Sequence, residues 1–109
     1  MEAQIEEEWR DIKGYEGEYE VSNMGRVRNA RNGYVLKPSL INSGYLTVSL
    51  GSRAKKLVHR IVGEAFLDNP DGLPCINHRD CDKLNNNADN LEYCSYSYNN
   101  SYGRHKGWH

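Results

Sequence analysis

Residues 75–94 read Cys-Ile-Asn-His-Arg-Asp-Cys-Asp-Lys-Leu-Asn-Asn-Asn-Ala-Asp-Asn-Leu-Glu-Tyr-Cys, and this stretch decides the fold. Cys75–His78 suits a short strand and Leu91–Cys94 a second one, because both carry β-favouring residues bounded by polar runs. Between them lies a polar loop, Arg79 to Asp89. Residues from Tyr96 onward suit a helix, although Ser, Tyr and Asn make it weak by propensity. The order over 75–104 is therefore strand, long loop, strand, helix. The loop is rich in asparagine. Asn85, Asn86 and Asn87 read first as turn formers, since Asn bonds its own backbone and tolerates left-handed angles. Asn90 differs, because it falls where loop meets strand and its amide can pin the loop.

Upstream, Leu57, Val58, Ile61, Val62, Ala65 and Phe66 recur at three and four residues and predict an amphipathic helix. Asn69-Pro70-Asp71-Gly72 ends it in a turn. Further upstream the period falls to two. Leu46, Val48 and Leu50 alternate with Tyr45, Thr47 and Ser49, as in a strand with one buried face. Short runs at 19–22, 26–28 and 34–36 are separated by glycines, and Asn32-Gly33 is a hairpin signal. Residues 9–50 thus predict a small antiparallel β-meander. The fold class expected is α+β: meander, bridging helix, then a hairpin-helix unit.

With 109 residues, the chain fits one domain with a thin core. No apolar run approaches membrane-spanning length, and the acidic start lacks the pattern of a signal peptide, so the expected location is cytoplasmic. Three cysteines argue against a disulfide framework. The net charge of −1 hides a segregation: residues 1–20 hold eight acids and two bases, whereas residues 21–63 hold eight bases and no acid. Folded into one surface, that stretch offers a positive face to a polyanion; alternatively, its charges balance the acidic N-terminus.

Two groups of residues resemble known motifs. Val58-His59-Arg60, Ala65-Phe66, Asn77-His78-Arg79-Asp80, Asp82-Lys83, Asn85-Asn86, Asn90-Leu91-Glu92-Tyr93 and Asn99 together resemble the HNH (ββα-metal) endonucleases of the phage and intron homing type. Trp9-Arg10-Asp11-Ile12, Gly14-Tyr15-Glu16 and Tyr19–Arg28 resemble the NUMOD-type motif that often precedes them. The resemblance covers roughly residues 8 to 100. It implies a NUMOD-like, DNA-contacting meander over 8–50 and an HNH unit over 51–104, within one compact domain.

It also implies roles. His78 would be the general base, Asn90 the catalytic-motif asparagine that supports the hairpin, and Asn77 with Asn99 the ligands of one divalent ion, Mg²⁺ or else Mn²⁺. Related enzymes can carry aspartate at the position of Asn77, and an amide is the weaker ligand for a hard cation. A histidine titrating near 6.5 can take a proton from water at neutral pH, and a divalent ion can relieve charge on phosphate and leaving oxygen. Double-stranded DNA is the implied partner, with Arg26, Arg28, Arg31, Arg53, Lys55, Lys56, His59 and Arg60 as candidate contacts. His59 has a structural reading beside the DNA-contact one. Asp80 and Asp82 shape the loop, with metal assistance as their second reading.

Competing readings are a DNA-binding module that does not cut, a zinc-stabilised domain using Cys75, His78, Cys81 and Cys94, and a purely structural protein. A phage-encoded protein of this kind would work in the host cytoplasm or nucleoid. Homing enzymes of this type usually continue into a C-terminal DNA-reading segment, whereas this chain ends ten residues after Asn99. Low sequence specificity, a dimer, or a longer parent protein all follow as possibilities.

Overall fold

The computed structural model describes residues 6–51 and 54–99. Its elements are β1 (Trp9–Asp11), β2 (Tyr19–Ser22), β3 (Val27–Asn29), β4 (Ser39–Leu40), β5 (Leu46–Leu50), β6 (Ala54–Leu57), α1 (Val58–Phe66), β7 (Cys75–His78) and β8 (Leu91–Cys94). A short 3-10 turn, Ala88–Asn90, precedes β8, and residues 96–99 are helical.

The expected meander is two sheets. Strands β1-β2-β3 form one antiparallel sheet and β4-β5-β6 another, with β7-β8 as a separate hairpin. The run at 34–36 does not make a strand; it makes one isolated bridge, Val35 to Arg28. The chain does turn at Asn32-Gly33, with Gly33 at φ +74°, but Tyr34 and Val35 are exposed and have no face to bury. Sequence reading named no run for β1, β4 or β6; β6, which lies outside the expected meander, is Ala-Lys-Lys-Leu, whose exposed lysines mask its period.

β6 runs directly into α1, so that Leu57 closes the strand and serves as the helix N-cap, without a side-chain cap bond. The helix is held instead by its apolar face. Val58, Ile61 and Val62 are buried with Val21, Val27, Val48, Leu50, Ile76 and Leu91 in one core that draws on all three sheets. Its far end is tied to the first sheet, where Arg10 Nη1 donates to Ala65 O at 2.8 Å and the guanidinium lies over the Phe66 ring. A cation at a helix C-terminus satisfies an orphan carbonyl and complements the dipole.

Gly63 lets the hairpin approach α1. A Cβ there would lie 2.5 Å from Ile76 Cδ1 and 3.4 Å from the Tyr93 hydroxyl. The expected consequence is that Gly63→Val overpacks this contact and lowers stability by about 1–3 kcal/mol. Chemical denaturation should show the loss as a lower midpoint.

Candidate functional site

His78 ends β7 and is completely buried, as is Asn77 before it. The register pairs Asn77 with Glu92 and His78 with Leu91. Each side chain is oriented by one bond. His78 Nε2 lies 2.8 Å from Asn86 Oδ1. An amide oxygen only accepts, so Nε2 carries the proton and Nδ1 keeps its lone pair. Asn77 Nδ2 donates to Glu92 Oε1 at 3.0 Å, which turns Asn77 Oδ1 the other way. Among the described residues, three buried side-chain polar atoms have no hydrogen-bond partner: Asn77 Oδ1, His78 Nδ1 and Asn99 Oδ1. Buried polar atoms are normally paired, and each exception calls for a ligand, an ion or a function. These three belong to the residues that sequence reading singled out as base and metal ligands.

The loop between the strands is built by its own side chains. Asp80 Oδ1 accepts from Asp82 N and Asn90 Nδ2, and its Oδ2 accepts from Asn85 Nδ2. These bonds, that from Asn85 foremost, hold its carboxyl below the usual range. Asp82 Oδ1 accepts from Leu84 N. Both aspartates thus shape turns. Cys81 adopts the left-handed conformation, φ +63°, as the chain reverses after His78. Asn90 bonds Asp80 in both directions and donates to Asn85 O, so its amide pins the loop.

His59, at the start of α1, is buried rather than presented to solvent. Its ring lies 4.8 Å from that of Tyr45 and 5.2 Å from that of His78, and Tyr45 lies 5.9 Å from His78. The three rings form one aromatic wall. Burial pushes the His78 pKa down, while Asn86, Asp80 and Asp82 draw it partly back. The same burial, with His78 and Arg60 nearby, lowers His59 to about 4.

The basic residues divide. Arg26 pairs with Glu7 and Arg28 with Glu20, and both guanidinium groups lie over the Trp9 ring. At these two positions the acid-free stretch is neutralised by the acidic N-terminal one. Arg60 Nη1 donates to Pro74 O. Arg31, Lys55 and Lys56 are exposed, and Arg53 lies outside the described residues. The cysteines are free, and the described residues contain no cluster of three or more His, Cys, Asp or Glu side chains. Cys75 stands opposite Cys94, whose thiol burial pushes up to about 11.

Sequence reading missed two residues of this site. Asn86 was indistinguishable from its two asparagine neighbours. Glu92 was legible only as a strand residue, although its cross-strand register with Asn77 follows once His78 and Leu91 are paired.

A buried histidine on a two-stranded hairpin, backed by a helix and preceded by small antiparallel sheets, is the architecture of the HNH endonuclease class. Comparisons with known proteins agree. The NUMOD4 motif model matches residues 7–51. An uncharacterised HNH endonuclease of Acanthamoeba polyphaga mimivirus is 40% identical over 94 residues, covering 84% of this chain and 28% of the relative. DNA endonuclease I-HmuI of Bacillus phage SP01 is 38% identical over 95 residues, covering 84% of this chain and 55% of that protein. The solved structure of the HNH homing endonuclease I-HmuI, described for DNA binding and cleavage, matches with a TM-score of 0.81 at 36% identity, covering 92% of this chain and 59% of that one. The chain is a homologue of the HNH endonucleases and carries a NUMOD4 motif, and it spans from about a quarter to just over half the length of the curated relatives it matches.

The depressed His59 pKa makes folding pH-dependent. An unfolded histidine binds a proton near 6.5, whereas folded His59 does so only near 4. Stability from this residue is therefore complete above pH 6.5. It falls as pH drops toward 4, by about 1.4 kcal/mol per pH unit at most. Denaturant midpoints measured across pH 4–7 should show this slope, and His59→Phe should reduce it, leaving the part that buried His78 contributes in the same direction.

Proposed function

We propose that the chain is a metal-dependent DNA endonuclease that hydrolyses a phosphodiester bond, with His78 as general base. One observation carries this reading: the three unpaired buried polar atoms are Asn77 Oδ1, His78 Nδ1 and Asn99 Oδ1. Support also comes from the relatives, which are named as HNH and DNA endonucleases.

In this reading His78 Nδ1 takes the proton of the attacking water. Its other nitrogen donates to Asn86, so the ring is fixed in the tautomer that leaves the base free. Burial lowers its pKa, which favours the neutral ring. The oxygen so freed bonds to phosphorus as the bond to the leaving sugar oxygen breaks. The site suits a divalent cation, because Asn77 Oδ1 and Asn99 Oδ1 are hard oxygen donors with no protein partner. Such an ion supplies Lewis-acid relief of the charge on the phosphate and the leaving oxygen. Mg²⁺ fits two neutral oxygen donors, since it keeps most of its shell as water and phosphate oxygen, and Mn²⁺ is the alternative. Asn90 is a positioning residue, acting through the loop. Glu92 is another, since its bond to Asn77 Nδ2 keeps the amide oxygen turned to the site.

Double-stranded DNA is the partner. Exposed Arg31, Lys55 and Lys56 are the strongest candidates for phosphate contact, with Arg53 a candidate from sequence alone. Arg26, Arg28 and Arg60 would have to exchange their present partners for phosphate. His59 serves the base as packing. The division of labour is a DNA-contacting portion over 8–50 and a cleaving portion over 51–104. Among the described residues no helix is long and apolar enough to cross a membrane. The relative from a phage suggests action on DNA in a host cytoplasm or nucleoid.

Supercoiled plasmid incubated with Mg²⁺ or Mn²⁺ tests the reading. The chain should nick it and His78→Ala should not, with a loss of about a hundredfold or more. Equal DNA binding with no nicking by either protein would favour a non-cleaving module. A chelator should abolish nicking, and added Mg²⁺ should restore it. Glu92→Gln lets the Asn77 amide turn over. It should raise the Mg²⁺ concentration for half-maximal nicking by about tenfold, read from a metal titration.

A further inference from the structure

The geometry points to Gly25, in the NUMOD4 motif, as a positioning residue that holds the base of the HNH site through Asn86. This rests on the nuclease reading for the role of His78, though not for the contacts themselves.

Asn86 is 4% exposed and supplies the oxygen that fixes the tautomer of His78. Its neighbours within the loop do not explain its position, since Asn85 and Asn90 bond Asp80 and each other's segment. What lies against it is the turn between β2 and β3. Gly25 sits there at φ +81°, and a Cβ on it would fall 2.9 Å from Asn86 Cβ and 2.9 Å from Asn86 O. Those are a backbone atom and the first side-chain atom, with no flexible end to swing aside. Two residues away along each segment, Ala88 N donates to Asn23 O at 2.7 Å, a backbone bond between the same two segments.

The turn itself cannot yield. Ser22 is fully buried, and its Oγ accepts from Met24 N and Arg26 N. Gly25 N donates to Ser22 O. Asn23 is tied on both sides of its amide, accepting from Glu8 N and donating to Glu6 O. A rigid turn, a missing side chain and an inter-segment bond together form a seat whose shape admits Asn86 at one position. Gly25 is thus required twice, for its left-handed angle and for the close approach.

The test separates these two requirements. Gly17 also has a left-handed angle, φ +78°, but a Cβ there meets nothing within 4 Å. Gly25→Ala and Gly17→Ala should both lower the thermal midpoint through backbone strain. Only Gly25→Ala should disturb the imidazole. In ¹⁵N-labelled protein, His78 in wild type and Gly17→Ala should show a single Nε2–H tautomer, and Gly25→Ala should show exchange between tautomers. Plasmid nicking should fall by about tenfold or more in Gly25→Ala and less than twofold in Gly17→Ala, because small misplacements of a catalytic group are costly. In an Asn86→Ala background, adding Gly25→Ala should change the rate by less than twofold.

Ala88→Pro is the second variant, for the case that Gly25→Ala does not fold. Asn87 is already extended, φ −64° and ψ 138°, as a residue before proline must be. The change therefore removes the donor to Asn23 O and should give the same tautomer exchange with a smaller loss of rate. Wild-type His78 signals in folded Gly25→Ala, or in Ala88→Pro where that is the variant that folds, would overturn the inference. So would a Gly25→Ala loss that multiplies fully with Asn86→Ala. A wild-type chain that does not nick would defeat the nuclease reading alone, and the imidazole signals would still decide this one.

Discussion

A buried imidazole has two nitrogens to satisfy, and in this chain only one has a protein partner. The bond from His78 Nε2 to Asn86 Oδ1 fixes the ring plane, the tautomer and the free lone pair at once. Without it the buried ring could present either nitrogen to the site. The remaining atoms follow the same pattern. Glu92 takes the donor end of the Asn77 amide and leaves the acceptor end unpaired, as Asn86 takes the donor end of the imidazole. Unpaired buried polar atoms each cost about 1–3 kcal/mol, and small domains hold only about 5–15 kcal/mol in total. Three such atoms in one small fold are a large concession, which makes accidental packing a poor explanation for them.

Around that bond the environment acts in one direction. The wall of Tyr45 and His59 excludes water from the His78 ring, and burial favours neutral imidazole. Asp80 and Asp82 oppose this by favouring the charged form, but both are spent on backbone and amide donors in the loop. Their negative charge therefore acts on the His78 ring from carboxylates already bonded within the loop. The same economy governs the basic residues. Glu7 and Glu20 occupy Arg26 and Arg28, so among the described residues the other exposed cations of the acid-free stretch are Arg31, Lys37 and the two lysines of β6. A polyanion approaching the first sheet must compete with bonded carboxylates, whereas β6 offers two exposed lysines next to the helix that carries His59.

Much of this was legible in the residues. The 3.6-residue period marked α1 to within a residue, and the alternation at 45–50 marked β5. Asn77, His78 and Asn99 were singled out from the motif they resemble, and each owns an unpaired buried atom. Asn90 was legible as a clasp from its place where loop meets strand. What escaped has physical causes. β6 was hidden because an edge strand with two exposed lysines carries no hydrophobic alternation. The run at 34–36 looked like a strand, and it bonds to β3 on both sides of Val35, but Tyr34 and Val35 stay exposed while Leu36 packs on the core, and pairing stops at one bridge. The segregation of charge left two readings, a bare positive face or balance by the acidic N-terminus, and Arg26 with Glu7 and Arg28 with Glu20 follow the second; sequence distance alone does not say which carboxylate folds onto which guanidinium. Asn86 was hidden among three identical residues, because its role comes from a contact 61 residues away in the chain, at Gly25.

That contact bears on why a small antiparallel sheet precedes the hairpin unit. A polar loop of the length seen between β7 and β8 buries little apolar surface, and such loops are ordinarily among the first parts of a fold to open. Here it is tied at three places. Asn90 closes it on itself, Lys83 Nζ reaches Ser43 O in the turn between β4 and β5, and Ala88 N reaches Asn23 O in the turn between β2 and β3. Two of the three ties run to turns within residues 8–50, the stretch that sequence analysis assigned to DNA contact. An imidazole can be aimed only as well as its partner is held, and Asn86 is held between its own loop and a glycine of another motif. The turn between β2 and β3 is therefore part of the frame around the His78 ring. In physical terms, the two motifs meet at the backbone of one asparagine, and the hairpin unit without its upstream neighbour would lack one wall of the seat that fixes its histidine.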